Sequence, residues 1–91
     1  VLAGILGGAL IGIERQIAPP DPVIGDAYAL RLKTLPPDWA SAIAAFASGS
    51  IVADAFPVML RDMLVACKQQ EMNTFALQVT DFEYETYLDM V

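Results

Sequence analysis

From Val1 to Ile13 the chain carries no charge, and apart from glycine its side chains are all aliphatic. Apolar residues fall on every side of the helix such a run forms, so Val1–Ile17 reads as a helix buried all round. Leu2, Ile5, Leu6, Leu10, Ile11, Ile13 and Ile17 would each contribute about 1.5–3 kcal/mol on full burial. Gly4, Gly7, Gly8 and Gly12 each cost up to about 1 kcal/mol relative to Ala. Local propensity does not sustain this helix; packing must. Three coverings are possible: lipid, a partner chain, or the remainder of a larger protein.

Composition sharpens that choice. At 91 residues and 9.8 kDa the chain is at most one small domain, and a chain of that size buries only about two-thirds of its unfolded surface. Yet 56% of its residues are hydrophobic and its mean hydropathy is +0.51. Apolar surface is therefore left over in a lone monomer. A membrane-spanning helix needs about 20 apolar residues, and the run stops at Glu14 and Arg15, with Pro19 and Pro20 closing the segment. It also lacks the basic leader of a signal peptide. Gly4, Gly8 and Gly12 recur every fourth residue, a spacing that suits close helix packing in membranes and in water alike. No membrane span is expected, and a membrane-peripheral helix over Val1–Ile13 is the weaker alternative.

The net charge of −6 and a pI near 4.1 exclude nucleic acid as a partner, because phosphate backbones reward clustered Lys and Arg. Only five basic residues occur and none follows Lys68. Asp81, Glu83, Glu85 and Asp89 make the last stretch acidic, which reads as a solvated face. Cys67 stands alone, so no internal disulfide forms, in keeping with a reducing compartment. With no His beside it, it reads as a packed core thiol rather than a nucleophile.

The missing chemistry is as informative. A chain without His has no Ser/His/Asp or Cys/His pair and no imidazole metal ligand. The glycines sit inside an apolar helix and are followed by no Lys-Ser/Thr, so they do not cradle phosphate. Glu83 and Glu85 lie about 200° apart around a helix and do not converge on one ion. No catalytic, cofactor-binding or metal-binding residue is assigned, and the 91 residues alone are expected to catalyse nothing.

The rest of the chain reads as helices around a proline-rich strap. Ala18–Pro37 holds Pro19, Pro20, Pro22, Pro36 and Pro37, which suits neither helix nor central strand. Within it Gly25-Asp26 signals a turn, and Tyr28-Ala29-Leu30 reads as extended. Asp38 caps a short helix over Trp39–Ala47 with Trp39, Ile43 and Phe46 on one apolar face. Ser48-Gly49-Ser50 breaks it, and Ile51–Phe56 reads as a brief turn leading to Pro57 at the first position of the next helix. That helix, Pro57–Val79, carries Leu60, Leu64, Cys67, Glu71, Phe75 and Val79 in one stripe beside Met59 and Met63. Lys68 pairs with Glu71. Thr80 and Glu83 have capping-box spacing and start a last helix whose Phe82, Tyr84, Tyr87, Leu88 and Met90 form an aromatic surface. No strand is indicated, so the fold class is all-α. Read from residues alone, the chain is also compatible with an autonomous helical interaction module that uses Trp39, Phe75 and Tyr87 as contacts.

The segment GIERQIAPPDPVIGDAYAL resembles a stretch near the carboxyl end of the glutamine synthetase family: a buried helix ending in Gly-Ile-Glu, a proline-containing strap, then a motif centred on Tyr. LPPDWASAIAAF is similar to the family's Leu-Pro and short Ala-rich helix. KQQEMNTFALQVTDFEYETYLDMV resembles its Lys-x-x-Glu helix and acidic aromatic tail. The order covers nearly the whole chain. Gly8-Ala9-Leu10-Ile11-Gly12-Ile13-Glu14 and Asp26-Ala27-Tyr28 depart from the usual bacterial wording, closer to the γ-glutamyl-amine ligase branch.

The resemblance implies an incomplete domain over residues 1–91, the helical tail of an α+β catalytic domain in a cytoplasmic ATP-dependent glutamate–ammonia or glutamate–amine ligase. It implies ATP and Mg2+ or Mn2+ held by residues of the parent outside this segment. It implies as partners the remainder of the parent chain and further copies in a ring, with Phe82, Tyr84, Tyr87 and Leu88 as subunit contacts. Tyr28 falls where some bacterial members carry an adenylylated tyrosine, although its changed flanks favour plain structural use.

Overall fold

A computed structural model describes residues 1–90; the side chain of Asp89, the last member of the acidic run, and Val91 lie outside the described part. Five α-helices follow one another: α1 (Leu2–Glu14), α2 (Trp39–Ser48), α3 (Ser50–Ala55), α4 (Val58–Ala76) and α5 (Asp81–Tyr87). Short 3-10 turns cover Ala27–Ala29 and Leu88–Met90. No strand occurs among the described residues, in agreement with the all-α reading.

The helices do not close around a common centre. The radius of gyration is 18.7 Å, against about 12 Å for a compact domain of this length. The accessible surface is 8235 Å², against roughly 5,200 Å² for a folded monomer of this mass. Two seams hold what packing there is: α1 lies on α3, and α2 lies on α4, with α3 touching both α2 and α4. Helix α5 packs against no other helix, only against the 3-10 turn that follows it.

The α1–α3 seam is made by small residues. A Cβ added at Gly4 would stand 3.6 Å from the Phe56 ring, and one at Gly7 would stand 3.1 Å from the Ala55 Cβ. Ile11 continues this edge and, at 8% exposure, is the one buried apolar residue of the described chain. One turn on, the Arg15 guanidinium donates to the Asp54 carboxylate. Gly4, Gly7, Ile11 and Arg15 thus share a helical face. The every-fourth-residue spacing of Gly4, Gly8 and Gly12 does not mark the contact: Gly8 and Gly12 have nothing within 4 Å of an added Cβ. Leu2, Ile5, Leu6, Leu10 and Ile13 are exposed, so the all-round burial expected of this helix is not reached within the chain itself.

Several boundaries differ from expectation, each for a local reason. Helix α1 stops at Glu14 rather than Ile17 because Gln16 enters the left-handed region at φ 50. There the Ile17 N–H donates to the Gly12 carbonyl at 3.0 Å and the Gln16 N–H to the Ile13 carbonyl at 3.2 Å, the double closure of a Schellman motif. Tyr28 is not extended; Asp26 Oδ1 accepts the Tyr28 N–H at 2.9 Å and folds Ala27–Ala29 into a 3-10 turn. Ile51–Phe56 is not a mere turn, because Gly49 ends α2 in an extended conformation (ψ 127) and restarts the backbone as α3. A Cβ at Gly49 would come 3.1 Å from the Ala45 carbonyl oxygen, a tight contact that glycine avoids. Helix α4 ends at Ala76 instead of Val79, and Pro57 is its N-cap rather than its first residue.

Glycine occupies the left-handed region without the Cβ clash that glutamine suffers. Gln16→Gly is therefore expected to raise the stability of the α1 terminus by about 1 kcal/mol, read as an upward shift of the urea midpoint followed by far-UV circular dichroism. An unchanged or lowered midpoint would contradict the assigned cap.

Candidate functional site

A groove between α2 and α4, about 320 Å³ in volume, is lined by Trp39, Ala42, Ile43, Phe46, Leu64, Val65 and Lys68. Asp38 sets its α2 wall. Its Oδ1 accepts the Ser41 N–H at 2.7 Å and its Oδ2 accepts the Ser41 hydroxyl at 2.9 Å, so α2 starts where Trp39 faces α4. Trp39 then meets Phe75 with ring centroids 6.0 Å apart, and Phe46 meets Phe56 at 6.2 Å, both tilted. Tilted pairs at such spacing suit the ring quadrupoles and are worth about 0.5–1.5 kcal/mol beyond the area they cover.

Helix α4 meets this groove with Leu64 of its expected stripe and with Val65 and Lys68 beside it, while Cys67, Glu71 and Phe75 of the same stripe line the adjoining concavity with Trp39. Leu60, Leu64, Val65 and Met72 are half-buried, whereas Cys67 and Phe75 are exposed. The apolar residues of α4 are spread almost evenly around it, so no single face dominates and α2 decides which one is covered. Cys67 is thus not a core thiol in this structure. Lys68, at the rim, donates to Glu71 Oε2 at 2.8 Å, as its spacing implied. That hydrogen bond, with the attraction of the carboxylate, raises the Lys68 pKa above 10.5. Both groups are solvated, so the pair contributes little to stability.

The residues singled out in the sequence are not gathered into one site. Tyr28 is 99% exposed on its 3-10 turn. Phe82, Tyr84, Tyr87 and Leu88 are exposed on α5 and the turn beyond it. The helix that carries them is fixed only at its start. Thr80 Oγ1 accepts the Glu83 N–H at 3.2 Å while Glu83 Oε2 accepts the Thr80 N–H at 2.9 Å, the capping box its spacing implied.

Among the described residues, no group of three or more His, Cys, Asp or Glu side chains is placed to hold a metal ion. No helix among them is long and apolar enough to cross a membrane. Two features escaped the sequence. The Arg15–Asp54 pair joins residues 39 apart in the chain, and no local pattern reports it. Val65 enters the groove from beside the expected stripe.

The family model of the glutamine synthetase catalytic domain matches residues 1–87, nearly the whole length. The chain belongs to the glutamine synthetase family. No curated protein and no solved structure matches it. Membership accords with the resemblance to that family's carboxyl-terminal segment and with an all-helical piece of such a domain. It makes a ligase-type parent the context for these helices. Members of the family generally use ATP and divalent metals and are generally oligomeric.

The Asp38 cap is expected to make the start of α2 acid-sensitive. The backbone N–H of Ser41, then its hydroxyl, holds the Asp38 carboxyl below its ordinary value of 3.8. A depressed acid stabilises the fold above its unfolded pKa, and that contribution is lost as pH falls from 3.8 through the lower folded value. Trp39 fluorescence is expected to report loosening of α2 in that window. Asp38→Asn, which keeps an acceptor oxygen but does not titrate there, is expected to remove this part of the transition. An identical acid profile in the two proteins would contradict the cap's role.

Proposed function

We propose that this chain is the carboxyl-terminal helical part of the catalytic domain of an ATP-dependent ligase. The parent joins the γ-carboxylate of glutamate to ammonia or to a small amine. ATP would transfer its γ-phosphoryl group to the γ-carboxylate with ADP leaving, and the amine nitrogen would then attack the acyl carbon, losing a proton as inorganic phosphate leaves and the C–N bond forms. The observation that carries this reading is the family match over residues 1–87. The excess surface supports the idea that these helices lie on further polypeptide: α1 presents Leu2, Ile5, Leu6 and Ile13 to solvent, all more than 60% exposed. A bare face of that kind costs about 25 cal/mol for each Å² left in water, so a covering surface is strongly favoured.

In this reading the chain serves packing and assembly rather than chemistry. Residues holding ATP, Mg2+ or Mn2+, and glutamate belong to the remainder of the cytoplasmic parent. Helix α1 backs the layer that carries them. Phe82, Tyr84, Tyr87 and Leu88 supply contacts between copies in a ring. Exposed aromatics on a helix that packs against no other described helix suit such an anchor. Tyr28 serves structurally, against a surface outside these residues, rather than as a modification site.

The deciding experiment is phosphate release by the intact parent, comparing ammonia with small amines. Release is expected to require ATP and glutamate together, and the 91-residue chain alone is expected to release none. Release independent of glutamate would overturn the assignment. Mass spectrometry of the same parent from nitrogen-rich growth is expected to find Tyr28 without AMP; an adduct there would make the residue regulatory. Deleting Asp81–Val91 from the parent is expected to shift its size-exclusion peak from the assembled ring to smaller species. A peak that does not move would remove the tail from the assembly.

A further inference from the structure

We draw no further inference here: the strongest candidate, the apolar groove between α2 and α4 walled by Trp39, Ile43, Phe46, Leu64 and Val65, carries nothing because nothing in the structure shows what covers it.

Discussion

The contact of α1 with α3 is the joint on which this arrangement depends. Gly4 and Gly7 bring the α1 backbone close enough for Phe56 and Ala55 to fill the space a side chain would take. Ile11 closes the seam, and the Arg15–Asp54 pair fixes its far end. Close approach of this kind trades helix propensity for packing: each glycine weakens the isolated helix by about 1 kcal/mol, and dispersion across the narrow seam offsets the loss. The consequence is directional. With the glycine edge of α1 committed to α3, the larger aliphatic side chains are turned the other way, into solvent.

That orientation explains the open shape of the molecule. Helix α3 is six residues long and, among the described residues, is the helix that touches both α1 and the α2–α4 pair. A bridge so short buries little area, and the two seams cannot also cover each other's outer faces. The chain therefore has two local layers and a free tail instead of one core. Family membership makes sense of this. On the proposed reading, helices that form one side of a larger catalytic domain need only be consistent among themselves, and their bare apolar faces are left for contacts with the remainder.

What the sequence made legible follows the range of each interaction. The starts of α2 and α5 were readable because Asp38 with Ser41, and Thr80 with Glu83, are three residues apart and satisfy the same backbone donors in any context. Lys68 and Glu71 are of the same kind. Helix α3 was hidden by Ser48-Gly49-Ser50, a true break that also serves as a start, since one glycine caps both neighbours. Cys67, expected in the core, is exposed, and Val65, outside the expected stripe, is half-buried, because α4 is nearly uniform around its axis and its buried face is chosen by where α2 lies. The Gly4–Gly7 edge was chosen over Gly4–Gly8–Gly12 by residues 55 and 56, far along the chain. Tyr28 was named from resemblance and the tail aromatics from their pattern on an acidic helix as well, and all of them are exposed here.

The central claim is that the outer face of α1 is exposed in this chain but covered in the intact ligase. A carboxylate placed there separates the two environments. At an exposed position Leu6→Asp changes stability by only about 0.5 kcal/mol, whereas an unpaired carboxylate forced into an apolar interface costs several kcal/mol. The most direct measurement is the urea midpoint of Leu6→Asp, made in parallel on the 91-residue chain and on the intact ligase. The expected result is a near-unchanged midpoint for the chain and a collapse of stability for the ligase. A ligase that tolerates Leu6→Asp as well as the chain does would contradict the claim that this face is buried beneath the catalytic domain.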